Sequence, residues 1–233
     1  MLTTNILFSG ILKIISLLTS LLIVPITINY LNNEVYGIWM TISSMLFWIS
    51  TFDIGLGNGM RNYLTKAISE KDLTLGRKYI STTLSLLSLI AITIGFLLLI
   101  PLFTINFNKF FNTFAISNVD LRNALFVALA FTLLNFVTKN IGLIFVAMQK
   151  YAINDLLSVL GNLLSLAIIF ILTKTTSPNL LYVIFTYTAT QCFVYLFAAI
   201  PLFTKYKELR PSLNYFDWSL SRQIVGKGLG FFV

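Results

Sequence analysis

Apolar residues in this chain come in long unbroken blocks, not in the strict alternation of a half-buried strand or the spaced pattern of a surface helix. Residues 14–33, 79–108 and 175–204 carry no charged side chain. About 20 such residues suffice to cross the hydrocarbon core of a bilayer as a helix. Polar interruptions divide the chain into six blocks, predicting spans at 6–29, 36–58, 79–104, 121–147, 151–173 and 179–204. Hydrocarbon offers backbone groups no partner, so segments of this length must be helices. Most connections are short, which makes sequential helices antiparallel. The expected fold class is therefore all-α: a polytopic membrane protein with six transmembrane helices.

Composition sharpens this reading. The chain is 57% hydrophobic and 10% charged, whereas soluble domains carry about a quarter charged residues. The first alanine is Ala67, so the leading block has no small-residue cleavage site and is expected to be a retained span. The net charge of +8 is distributed by topology and does not point to nucleic acid. Arg61, Lys66, Lys71, Arg77, Lys78, Lys150, Lys205, Lys207, Arg210, Arg222 and Lys227 fall on one side of the expected spans, against Lys109 and Lys174 on the other. The positive-inside rule then puts the N-terminus and residues 205–227 in the cytoplasm. That segment reads as an interfacial linker, with its basic side to lipid headgroups and Leu213, Tyr215, Phe216, Trp218 and Leu220 toward the acyl boundary. Residues 228–233 turn apolar and are expected to begin a seventh helix. ILFSGILKII at 6–15 and IVGKGLGFFV at 224–233 echo each other faintly, as the two related halves of a transporter would.

Candidate chemistry is sparse. There is no histidine and one cysteine, Cys192, so neither a metal site nor a cofactor nor an internal disulfide is expected. Charges at membrane depth cost roughly 2.5–3.5 kcal/mol each and need a reason. Lys13 lies about 10 Å from the start of the first span, Lys139 about 12 Å from the end of the fourth, and Asp155 about 6 Å into the fifth. Each belongs to a polar stripe at helical spacing: Ser9, Lys13, Ser16 and Ser20; Ala128, Thr132, Asn135, Lys139 and Gly142; Asp155, Ser158, Asn162 and Ser165. The stripes are expected to converge on a hydrated cavity open to the cytoplasm, with Lys13, Lys139, Asn135 and Ser16 contacting a substrate. The alternative is ordinary helix packing, with Lys139 and Asp155 neutralising each other. DIGLGNGMRN, holding Asp53, Gly55, Gly57, Gly59 and Arg61, follows an apolar helix and so lacks the strand context of a phosphate loop. It reads as a bend or a close helix approach. Tyr36, Trp39, Tyr79, Tyr151 and Tyr206 read as an interfacial aromatic belt.

Three segments carry a resemblance: LLIVPITINYLNNEVYGIWMTISS at 21–44, DIGLGNGMRNYLTKAISEKD at 53–72 running into RKYISTTLS at 77–85, and LRPSLNYFDWSLSRQIVGKGLGFF at 209–232. Together they resemble the polysaccharide and O-antigen repeat-unit flippases of the multidrug/oligosaccharidyl-lipid/polysaccharide exporter superfamily, over the whole chain. The resemblance implies a two-lobe exporter of which these residues are the N-terminal lobe. Its substrate would be a polyprenyl-pyrophosphate-linked glycan, moved across the bacterial inner membrane. The partners it implies are the bilayer, a second transmembrane lobe and polysaccharide assembly proteins. Lys13 and Lys139 would then meet the pyrophosphate, and Asp155 would couple an ion.

Rival readings are a drug or cation antiporter of the same superfamily, a membrane-embedded glycan polymerase or acyltransferase, and a non-catalytic assembly subunit. An antiporter favours acids in its cavity, whereas deep bases outnumber the one deep acid here. A polymerase presents a catalytic acid, His or Arg on a long loop, whereas the segment 105–120 has Asp120 as its only acid.

Overall fold

The computed structural model describes residues 2–51, 53 and 55–229, with side chains described from Phe8 to Gly226 within those limits. Its helices are α1 (Leu2–Leu31), α2 (Asn33–Thr51), α3 (Leu56–Ser69), α4 (Leu73–Thr104), α5 (Phe107–Phe111), α6 (Asn118–Thr138), α7 (Asn140–Ala147), α8 (Tyr151–Thr175), α9 (Leu180–Lys205) and α10 (Trp218–Leu229). Among the described residues there is no strand. Five helical segments are long and apolar enough to cross a membrane, with Asn118–Ala147 taken as one, and α2 with α3 makes a sixth if the bent pair is a single span. The protein is an all-α, multi-pass membrane protein.

Local chemistry places the ends. Asn32 has φ 72°, a left-handed conformation that asparagine tolerates better than most residues, and its side chain accepts from the Val35 amide at 3.1 Å. Asp72 caps α4 by accepting from Leu75 N at 2.8 Å, and Ser117 caps α6 through Asp120 N at 3.1 Å. Each cap satisfies an amide that the first helical turn cannot.

Three elements differ from the sequence reading. The span expected at 36–58 is broken: α2 ends at Thr51, and α3 departs at 44°. Gly55 accommodates the break with φ 70°, a conformation that costs any residue with a Cβ. The span expected at 121–147 starts earlier and runs through Asn118–Ala147, and only its hydrogen bonding tightens at Lys139, which keeps a helical φ of −54° and ψ of −25°. The stretch expected to be linker as far as 227 is already helical from Trp218. Of the expected seventh-helix start, residues 230–233 lie outside the described residues.

Three apolar clusters hold the bundle, one of them formed by Leu56, Leu87, Phe136 and Ile224. At the α5 end Leu31, Val35, Ile42, Leu121 and Ile184 pack together; at the α3 end Met60, Leu64, Ile80, Ile144 and Leu209 do so. Meanwhile Leu17, Leu21, Phe96 and Leu97 are each about two-thirds exposed. A face of that size would be a liability in water and is at home against acyl chains.

Residues after α9 form a strap along α4. The Arg77 side chain donates to Arg210 O at 2.7 Å, Ser81 Oγ accepts from Ser212 N at 3.1 Å, and Thr82 Oγ1 accepts from Asp217 N at 3.0 Å. Lys78 pairs with Asp217 at 3.3 Å. The segment expected to lie at an interface is therefore held by specific bonds, while Leu213 and Trp218 stay exposed.

Candidate functional site

A cavity of about 480 Å³ opens between α1, α2, α6 and α9. Its wall is mixed: hydroxyls of Ser20, Ser43, Ser50, Thr132 and Thr188, the amide of Asn135, and the rings of Tyr36, Trp39 and Tyr187. Trp39 and Tyr187 lie 5.0 Å apart between ring centroids. Trp39 is buried at 6% exposure, so the aromatic-belt reading fails for it; its ring packs inside the bundle. Tyr79, also buried at 6%, stacks on Tyr63 and is no belt residue either.

Lys139 is held near the α3 end of this cavity. Its ammonium donates to Ser50 O at 3.1 Å and pairs with Asp53 at 3.4 Å. One side chain thus ties the bend after α2 to the junction of α6 and α7. Asp53 is further oriented by the Gly55 amide, which donates to Oδ1 at 3.1 Å. The pairing of Lys139 with Asp155 weighed from sequence does not occur: the partner is Asp53. Among the described residues Asp155, half-buried on α8, makes no ion pair.

The glycines of the DIGLGNGMRN stretch work by close approach. A Cβ on Gly57 would collide with Asn140 Oδ1 and lie 2.7 Å from Leu143 Cδ1, and one on Gly59 would lie 2.6 Å from Ile224 O. The Asn140 amide nitrogen donates to Phe136 O and Val137 O at the end of α6. That fixes the side chain against Gly57 and the α3–α7 contact with it. Arg61 reaches Asn62 at 3.4 Å and takes no part in the cavity wall.

Of the α1 stripe, Ser16 accepts from Asn162 Nδ2 at 3.1 Å, a contact between α1 and α8. Lys13 is exposed and, among the described residues, makes no ion pair or hydrogen bond. It lies seven residues before Ser20, hence on the same flank of α1 and about 10 Å along its axis. The structure therefore brings Asn135 into the cavity wall, holds Lys139 outside that wall against Ser50 at its edge, sets Lys13 on the flank that leads to it, and assigns Ser16 and Asn162 to helix packing. Sequence periodicity missed Tyr187 and Thr188 as wall members, and Asp53, read as part of a bend, was not foreseen as the partner of Lys139. The α9 run of Thr186, Tyr187, Thr188 and Thr190 was the available signal. Among the described residues no group of three His, Cys, Asp or Glu side chains could hold a metal ion.

Beyond the span end of α9, Lys150 donates to Tyr206 Oη at 2.8 Å, and that bond lowers the phenol's pKa. Asp217 is lowered too, first by its bonds with Ser219 and then by Lys78.

A family model described as polysaccharide biosynthesis protein matches residues 2–233. No curated protein matches the chain. Among solved structures, a MATE crystallised in complex with MaD3S is 20% identical with a TM-score of 0.74, over 95% of this chain and 50% of that one. An outward-facing multidrug resistance MATE family transporter of the MOP superfamily is 20% identical with a TM-score of 0.72, over 97% of this chain and 51% of that one. This likeness is one of fold. The chain spans about half the length of the solved structures it matches.

Proposed function

The chain belongs to the polysaccharide biosynthesis protein family, and on that premise we propose that it is the N-terminal lobe of a flippase. The substrate is a polyprenyl-pyrophosphate-linked oligosaccharide, moved from the cytoplasmic to the outer leaflet of a bacterial inner membrane. The N-terminus and the strap after α9 face the cytoplasm, where the excess of Lys and Arg places them. A second transmembrane lobe completes the transporter, because alternating access needs two halves to rock against each other.

One observation carries this reading. A polar, aromatic-walled cavity at membrane depth is approached by one cation without a described partner, Lys13, and by a second, Lys139, whose partner is a single carboxylate. A pyrophosphate head binds cations strongly where water is sparse. Lys13 makes the first contact. Lys139 joins when the pyrophosphate displaces Asp53, which releases the tie between the bend after α2 and the α6–α7 span. Binding then loosens the α3 end of the lobe, a change of the kind an alternating-access cycle uses. Against the antiporter reading, the one carboxylate near the cavity is already neutralised. Asp155 remains the candidate for ion coupling.

Complementation tests this in a full-length protein containing the lobe, expressed in a strain lacking its own flippase. Lys13→Gln should reach normal abundance yet restore no surface polysaccharide, and Lys13→Arg should restore part. Full restoration by a Lys13→Gln, Lys139→Gln double variant would exclude the cationic site.

A further inference from the structure

The hydrogen-bond polarity of the cavity wall selects a particular kind of ligand. Ser20, Ser43 and Thr188 each donate their hydroxyl hydrogen to a carbonyl of their own helix, Ser16 O, Trp39 O and Ile184 O, at 2.8–2.9 Å, and Ser50 does the same to Leu46 O at 3.3 Å. This back-bonding satisfies the hydroxyls locally in a helix, and it leaves only oxygen lone pairs for the cavity. Tyr187 behaves alike. Thr27 spends its hydrogen on Ile23 O at 2.7 Å, so in the 3.3 Å contact between the two hydroxyls the phenol is the donor. Asn135 Oδ1 is a buried acceptor with no partner, a deficit that a ligand donor relieves. Thr132, Tyr36 and the Asn135 amide keep hydrogens that no described bond takes up, so the wall holds donors as well, but the hydroxyls of Ser20, Ser43, Ser50, Tyr187 and Thr188 make acceptors the majority. They turn those acceptors toward a space that Tyr36 and Trp39 also line.

Resting on the flippase reading, we infer that this cavity is a subsite for the uncharged sugar next to the pyrophosphate, recognised through hydroxyl and amide hydrogens that the sugar donates. A pyranose presents such donors around its rim and an apolar C–H face, which fits an aromatic wall. Its volume of about 480 Å³ lies within the usual range of roughly 300–1,000 Å³ for ligand pockets and accommodates one or two sugar rings. A cation would also suit an acceptor-rich wall. Lys13 and Lys139 near one end oppose it, since like charges repel in a weakly screened site.

The experiment uses a full-length protein containing this lobe, in nanodiscs, with every tryptophan except Trp39 (Trp48 and Trp218 included) replaced by Phe, so that the Trp39 indole reports occupancy by fluorescence. Three probes are titrated: citronellyl pyrophosphate, the same pyrophosphate carrying a β-1,4-linked glucose disaccharide, and its fully O-methylated form. The disaccharide with free hydroxyls should bind about tenfold more tightly than the bare pyrophosphate, the equivalent of one or two neutral hydrogen bonds. The methylated form, keeping its oxygens but not its donors, should gain nothing over the bare pyrophosphate. Adding Ser43→Ala and Thr188→Val should erase the sugar's gain and leave the bare pyrophosphate unchanged, which separates lost acceptors from the bulk of the methyl groups. Equal binding of the free and methylated disaccharides, an unchanged gain in the Ser43→Ala, Thr188→Val variant, or saturation of the cavity by tetramethylammonium would each overturn the inference. Loss of bare-pyrophosphate binding alone, with the sugar's gain intact, would count against the cationic site and leave the sugar subsite standing.

Discussion

Lys139 is the residue that ties the bend after α2 to the α6–α7 span. Its side chain is 30% exposed and that of Asp53 19%, so the pair is neither a surface bridge nor a fully desolvated one. Removing one member should cost about 1–3 kcal/mol, between the values for exposed and buried pairs. Lys139→Met and Asp53→Asn singly should therefore lower the melting temperature in nanodiscs, and the double variant should recover most of it. Asp155→Asn should leave it unmoved; a loss rescued instead by Lys139→Met with Asp155→Asn would mean the pairing is wrong. The glycines give a second residue-scale contrast. Gly59→Ala drives a methyl onto Ile224 O and should destabilise measurably, whereas Gly37, in α2 with nothing within 4 Å, should gain roughly 0.5–1 kcal/mol on Gly→Ala from helix entropy alone.

At the scale of elements, the strap after α9 is the feature with the clearest test. Ser81 and Thr82 lie on α4 and accept strap amides, so Ser81→Ala with Thr82→Val should raise amide exchange over 206–217 while α8 stays protected. Its ion pair should also resist acid. Asp217 titrates below the ordinary 3.8, so the Lys78 contact is fully present above that value. It is lost only as pH falls through the lowered one. Strap protection, corrected for the pH dependence of intrinsic amide exchange, should be the same at pH 4.5 as at pH 7, and loosening already at pH 5 would contradict the assignment. The helices themselves were legible because charge-free blocks are visible one residue at a time. The glycine run also marked the bend after α2 and its close approach. What the sequence could not show were the contacts between helices: Lys139 finds Asp53 across 86 positions of sequence, and Gly57 is required by Asn140. Of the site, Lys13, Lys139 and Asn135 were readable as polar residues out of place. Trp39 was read as an interfacial ring because its position near a span end is compatible with both a belt and a core.

At the scale of the whole molecule, five apolar helical segments, a broken pair and a polar cavity make one lobe of an exporter fold, and the chain matches about half of its solved neighbours. Orientation is accessible to labelling. With Cys192 replaced, single cysteines at Lys71 and Lys207 should react only from the cytoplasmic side, and those at Asn33, Asn112 and Ser177 only from outside. The central claim, that basic residues at a polar cavity carry a pyrophosphate-linked glycan across the bilayer, is tested most directly by leaflet distribution. A full-length protein containing this lobe is reconstituted in vesicles with a fluorescent lipid-pyrophosphate disaccharide, and the fraction quenched from outside is followed over time. The account predicts transfer with the native residues, little or none with Lys13→Gln at equal protein content, and partial transfer with Lys13→Arg. Transfer at the native rate by a Lys13→Gln, Lys139→Gln double variant would contradict it.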